Sequence, residues 1–306
     1  MGLFDKLKGM MGGGGSSGAS SSRRRRGVTD IEGRFERLRS AVSGTMSNFI
    51  VARDRENDRI VGVKLCDLEK VQFFESRFKG MSKPSEGEIA TSMHHKYVVE
   101  TLEYGLSTKG APYLVMEFID GPGLQTLIHN REAGMLEGKR LMLISQMAEA
   151  LQFVHASGYI HRDICPRNFI CTADINLIKL IDFGLTVPAT KEFMAPGNRT
   201  GTPLYMAPEV VRRRATDQRV DIFSFGVTCY QLLTFSHPWP GSETSGLAAL
   251  NHDTANATDI FHFRPELNKQ LGALIMQSIQ AKPDLRVPSM DKFLSVLKAI
   301  PSETGQ

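Results

Sequence analysis

His161-Arg162-Asp163-Ile164-Cys165-Pro166-Arg167-Asn168, followed by Asp182-Phe183-Gly184, is the stretch on which the reading of this 306-residue chain turns. As chemistry it supplies a carboxylate, Asp163, able to receive a hydroxyl proton, together with an amide oxygen on Asn168 and a second carboxylate on Asp182. Those two oxygens are hard ligands suited to Mg2+ carrying a nucleotide's phosphates. Each acid alone would read as an ordinary loop residue.

Outward from this stretch, the chain changes its period. Phe49 to Arg53 and Arg59 to Leu65 alternate like two strands around the turn-rich Asp54-Arg55-Glu56-Asn57-Asp58, and Tyr113 to Ile119 is a further β-rich run. After Gly121-Pro122-Gly123, Leu141, Ile144, Met147, Ala148, Leu151 and Val154 mark one face of a long helix, and Asp221 to Phe235 reads as a second, almost wholly buried. A strand-rich half followed by a helical half predicts an α+β protein of two lobes with a ligand cleft between them.

Composition agrees with a globular chain: 41% of residues are hydrophobic and 23% charged, enough to bury a large core. No run of eighteen apolar residues occurs; Ser145, Gln146, Glu149, Gln152 and His155 interrupt even the oiliest region. The net charge of +4 is accounted for by the first thirty residues, where Lys6, Lys8 and Arg23 to Arg26 face Asp5 and Asp30. Cys66, Cys165, Cys171 and Cys229 show no metal-ligand pairing, and no cleavable leader pattern precedes them, so reduced thiols in a cytoplasmic protein are expected. The pair His94-His95 lacks the Cys or carboxylate spacing of a metal site.

The quoted run resembles the catalytic loop H-R-D-x-x-x-x-N and the D-F-G element of protein kinases, and Gly201-Thr202-Pro203-Leu204-Tyr205-Met206-Ala207-Pro208-Glu209 looks like the segment that closes their activation loop. The resemblance, to the eukaryotic-like serine/threonine (Hanks-type) members, runs from about Arg34 to Ile300 and implies the two-lobed protein-kinase fold, with a small strand-rich N-lobe and a larger helical C-lobe. On this basis residues 1–30 are a flexible basic tail, 31–300 the kinase domain, with its hinge at about 117–123, and 301–306 a second tail. It implies ATP and Mg2+ as cofactors and Asp163 as the catalytic base, with Asn168 and Asp182 on the metal. Val61-Gly62-Val63-Lys64 is similar to V-A-I-K, so Lys64 would grip the α- and β-phosphates. Glu86, nine residues before a run resembling H-P-N-I-V at His95, would be the acid that positions Lys64, with Glu88 as the alternative. Leu114 to Ile119 resembles the hinge, which implies that backbone groups of Glu117 and Ile119 meet adenine with Met116 at its rear wall. Asp221 would support the catalytic loop, and Arg286 would pair with Glu209 in a buried bridge.

Two departures stand out. The phosphate-covering glycines G-x-G-x-x-G fall on Val42, Gly44 and Ser47, so only Gly44 remains, and the loop should be stiffer than glycine would make it. Where serine/threonine kinases place a lysine two residues after the catalytic Asp, this chain has Cys165; Arg167, at a spot where tyrosine kinases often carry arginine, is the stand-in. Gly201-Thr202-Pro203 favours serine or threonine as acceptor on a protein substrate. Arg162 would capture a phosphate on Thr200 or, second, Thr190. The rival reading is a pseudokinase scaffold, supported by the eroded glycine loop and Cys165. In residues 1–26, Leu3, Phe4, Leu7, Met10 and Met11 have helical spacing beside basic residues, which reads either as a peripheral membrane or partner contact or as a disordered tail. Four arginines there give unspecific attraction to nucleic acid at best and no specific binding.

Overall fold

The computed structural model describes residues 24–39, 42–43, 47–239 and 248–305; Gly44 and the apolar run Leu3 to Met11 lie outside the described residues. The N-lobe is built on a sheet whose centre is the hairpin of β4 (Ser47–Asp54) and β5 (Arg59–Cys66). Its turn is set by local chemistry. The Asp54 carboxylate accepts from the Glu56 N–H at 3.1 Å and the Asn57 amide at 2.9 Å, and Asp58 closes the turn with φ 58°. With β1 (Arg24–Thr29), β2 (Phe35–Arg37), β3 (Val42–Ser43), β6 (Thr101–Ser107) and β7 (Pro112–Glu117), the order is β1-β6-β7-β5-β4-β2, with β3 on β4. Alternation gives the sheet two faces. Ile50, Ala52, Val61, Val63, Tyr113 and Val115 form a core on one side with Ile31 and Phe35, whereas Leu114 and Met116 turn toward the C-lobe.

One boundary differs from the compositional reading. Residues 24–29, placed in the tail by their arginines and glycine, form strand β1, parallel to β6. Long-range contacts invisible in a local window hold it there: Arg26 pairs with Glu56 at 2.7 Å and Glu103 at 3.5 Å, and Thr29 shares a hydrogen bond with the Tyr113 hydroxyl at 2.8 Å. Residues 301–305 likewise are not a free end, because Glu303 binds Arg264 at 2.9 Å and Arg140 at 3.3 Å.

Helices α1 (Ile31–Arg34), α2 (Leu68–Glu75) and α3 (Glu86–Ser92) complete the N-lobe. In α3, the Ser85 hydroxyl accepts the Glu88 N–H while the Glu88 carboxylate accepts the Ser85 N–H, a capping box that starts the helix at Glu86. The C-lobe contains α4 (Leu124–His129), α5 (Ala133–Leu136), α6 (Arg140–Ala156), α7 (Pro208–Val211), α8 (Arg219–Thr234), α9 (Ile260–Phe263), α10 (Lys269–Ser278) and α11 (Met290–Leu297). Short pairs β8 (Tyr159–Ile160) with β11 (Val187–Pro188) and β9 (Phe169–Cys171) with β10 (Ile178–Leu180) line the cleft side. Helix α8 is buried on nearly all faces and ends at Phe235, a left-handed residue with φ 55°. Among the described residues no helix is long and apolar enough to cross a membrane.

Candidate active site

Lys64 stands on the cleft face of β5, opposite Phe49 of β4 and Leu114 of β7. Its ammonium lies 2.5 Å from Glu86 at the start of α3 and 2.8 Å from Asp182. Burial alone would push the Lys64 pKa down, but the charges of Asp182 and Glu86 override it and hold the amine above its ordinary value, so it stays protonated. Glu88, the alternative acid, has its carboxylate engaged in the capping box. The signal that separates them is Ser85-x-x-Glu88, a capping-box pattern legible in the sequence and missed there.

Across the cleft, the loop between β8 and β9 carries Asp163. One of its oxygens accepts from the Thr202 hydroxyl at 2.7 Å and the Thr202 N–H at 3.0 Å, and the other from the Asn168 amide at 3.0 Å. With its amide nitrogen committed to Asp163, Asn168 keeps its carbonyl oxygen as a free acceptor. Arg167, half-exposed, donates to the Thr202 hydroxyl at 2.8 Å and lies 3.7 Å from Asp163. Thr202 therefore bridges acid and cation. Cys165 is buried beneath, 3.9 Å from the Thr202 hydroxyl, and burial pushes its thiol up to about 12, which leaves no reactive thiolate near neutral pH.

The loop holds a strained backbone. Arg162 and Asp182 both lie at positive φ, 67° and 89°, conformations that persist in non-glycine residues only when their surroundings enforce them. At Arg162 this enforcement comes from Asp221 of α8: its buried carboxylate accepts the His161 N–H at 2.7 Å, the Arg162 N–H at 2.8 Å and a ring nitrogen of His155 at 2.9 Å. His161 packs edge to face on Phe183 at 5.4 Å. Arg286 grips Glu209 through two bonds of 2.7 Å, both side chains buried. The Arg162 guanidinium donates to Phe193 O and Thr216, while its Nε and Nη1 and the Thr200 hydroxyl are buried and unpartnered among the described residues.

At the hinge, Met116 is buried opposite Gly62. The Glu117 N–H donates to Glu100 O at 2.9 Å. The Glu117 side chain pairs with Lys179 at 2.5 Å, and Ile119 is half-buried. Val42 sits on β3 against Phe49; Gly44 lies outside the described residues.

Phe49 escaped the sequence reading. A Cβ added to Gly62 would sit 2.6 Å from its ring, so phenylalanine fits here only because its neighbour on β5 is glycine. The missed signal is its place two residues after Ser47, where G-x-G-x-x-G-x-V carries valine, beside Gly62 where V-A-I-K carries alanine.

The donor set suits Mg2+, which keeps several waters and takes only one or two protein oxygens beside substrate phosphates. Among the described residues no cluster of three or more His, Cys, Asp or Glu could hold a metal without such help.

Comparison with known proteins agrees with the geometry. The chain is 29% identical over 270 residues to "Probable serine/threonine-protein kinase SCO3848" of Streptomyces coelicolor, covering 85% of this chain and 39% of that protein. It is 28% identical over 276 residues to "Serine/threonine-protein kinase pkn3" of Myxococcus xanthus, covering 85% and 48%, and 29% identical over 255 residues to "Serine/threonine-protein kinase PknB" of Mycobacterium tuberculosis, covering 79% and 39%. The chain thus spans less than half the length of these curated relatives. Residues 35–296 match the family described as protein kinase domain. A two-lobed α+β fold, the paired Lys64 and Glu86, and a match across most of the sequence lead to one conclusion: the chain belongs to the protein kinase domain family.

Proposed function

We propose that the chain is a serine/threonine protein kinase that transfers the γ-phosphoryl group of ATP to a protein hydroxyl. The observation that carries this reading is the convergence on one cleft of Lys64, held by Glu86 and Asp182, and of Asp163, held by Thr202 and Asn168. An ammonium has three protons. Two of those on Lys64 meet carboxylates, and the third is available to an α- or β-phosphate oxygen.

Asp163 receives the proton of the serine or threonine hydroxyl as its oxygen bonds to phosphorus and the bond to the β-phosphate oxygen breaks, releasing ADP. Arg167 places a planar, permanently charged group beside the phosphoryl in flight. Asn168 and Asp182 would hold Mg2+, which when bound neutralises phosphate charge. Met116, the Glu117 carbonyl and Ile119 orient the base, and Val42 and Gly44, which match two positions of the family's glycine motif, would bind the phosphates. Most of the rate acceleration is placement and electrostatics. The names of the relatives support serine/threonine as the acceptor class. The unpartnered nitrogens of Arg162 support regulation by a phosphate on the activation segment; Thr190 is exposed, whereas Thr200 is buried and requires the segment to open first.

The test is phosphate transfer from labelled Mg-ATP to a generic basic protein, comparing wild type with Asp163→Asn. Transfer onto serine or threonine that disappears in the variant is expected. Nucleotide binding without transfer in either protein would instead select the pseudokinase scaffold.

A further inference from the structure

The chain leaves the candidate active site through Thr202, whose hydroxyl and N–H both reach Asp163, and enters the short turn Pro203–Tyr205. A hydroxyl that is to meet Asp163 must pass beside this turn, where Pro203 is exposed and Leu204 half-buried. Backbone carbonyls are taken mostly by backbone N–H groups. Here three successive ones are held by side chains from three separate places: Leu204 O by His237 Nε2 at 2.9 Å, Tyr205 O by the Ser224 hydroxyl of α8 at 2.7 Å, and Met206 O by His252 Nδ1 at 2.8 Å.

The two imidazoles use opposite nitrogens. A carbonyl can only accept, so His237 carries its proton on Nε2, and its Nδ1 accepts the Trp239 N–H at 3.3 Å. His252 carries its proton on Nδ1, and its Nε2 is buried with no partner among the described residues. Both rings are buried. His252 packs on Trp239 and Phe223, with centroids 4.4 Å and 5.4 Å apart, and His237 stands 5.9 Å from His252. Rings packed this closely cannot turn freely, so each N–H dictates where its carbonyl sits.

We infer that His237 and His252 are positioning residues for the protein acceptor. They fix the peptide planes at Leu204 and Met206, and with them the path of the surface next to Asp163 along which the acceptor chain lies. A carbonyl released from its bond lets that surface shift against the carboxylate, and a misplacement of about 1 Å can cost about a hundredfold in rate. The nucleotide is spared, since the groups proposed to hold it, Lys64, Met116 and Glu117, stand on β5 and β7. The role presupposes the phosphotransfer proposed above and assigns the seating of its second substrate.

Exchanging each histidine for the two amides tests this. The Asn side-chain nitrogen stands about where Nδ1 of His does and the longer Gln reaches the place of Nε2, so the donor is kept or lost while a polar side chain stays. In the full chain, with Mg-ATP and a generic protein acceptor, His237→Asn and His252→Gln should each lower kcat/KM for the acceptor about tenfold with the KM for ATP unchanged, whereas His237→Gln and His252→Asn should stay within about twofold of wild type. Peptides spanning 201–207 should exchange amide hydrogens faster in the first pair only. An acceptor kcat/KM indifferent to which amide is installed, an ATP KM that rises in step, or unchanged exchange at 201–207 overturns the inference and leaves the phosphotransfer reading standing. A position at which neither amide folds is structural only, which overturns the inference for that residue. A wild-type chain that binds nucleotide and transfers no phosphate is a distinct result: it refutes the phosphotransfer reading itself, and the positioning role falls with it.

Discussion

Replacing Arg167 by alanine tests the proposal that this cation stands in for the lysine that serine/threonine kinases carry two residues after the catalytic Asp. The side chain is half-exposed and holds Thr202 at 2.8 Å and Asp163 at 3.7 Å, so its loss opens no cavity and leaves Asp163 with its bonds from Thr202 and Asn168. What disappears is a unit charge near the transferring group. At a separation of about 5 Å, Coulomb's law with an effective dielectric of about 20 to 80 gives about 1–3 kcal/mol. Solvent exposure favours the lower half, about 1–2 kcal/mol, which is about a five- to thirtyfold fall in turnover. Steady-state phosphorylation of a basic protein at saturating Mg-ATP should show that fall in kcat, with the melting temperature unchanged and partial recovery in Arg167→Lys. Turnover equal to wild type would refute the assignment and leave the phosphoryl charge to Lys64 and the metal alone.

Gly62→Ala should raise the KM for ATP several-fold, because its Cβ would sit 2.6 Å from Phe49 and drive the ring into the space for the base; adding Phe49→Val should restore it, and a single variant with wild-type KM would remove Phe49 from the nucleotide site. Glu209→Ala leaves Arg286 buried without its anion and should cost about 3–5 kcal/mol in urea unfolding. His252 is buried, donates to Met206 O at 2.8 Å, and has its pKa lowered to about 4 by burial, with His237 nearby and Asp253 opposing. Its folded pKa lies below the unfolded value, so the unfolded chain binds the extra proton. Stability is complete above pH about 6.5 and falls as pH drops toward 4; the urea midpoint should decline across that window, and His252→Gln should flatten the decline.

The family was readable because His161 to Asn168 and Asp182 to Gly184 are short local runs whose residue types stand at fixed spacing in the chain. The β4–β5 hairpin was readable because Asp54 to Asp58 announces its own turn. Strand β1 was not, because what recruits it lies on β6 and in the β4–β5 turn, where Glu103 and Glu56 meet Arg26. Nor was the matched pair of Phe49 and Gly62, since neither is unusual alone and only the strand register brings the ring over the glycine. The bridge from Arg167 through Thr202 to Asp163 joins positions 35 and 39 residues apart and depends on how the activation segment folds back.

Asp221 gives this molecule a fuse. The left-handed turn at Arg162 persists because a carboxylate on the first turn of α8 ties down two successive amides. Loosening that one turn would let the backbone relax and swing Asp163 out of register while most of the helical scaffold stayed intact. On gentle warming, phosphate transfer should therefore fade several degrees before circular dichroism records any melting.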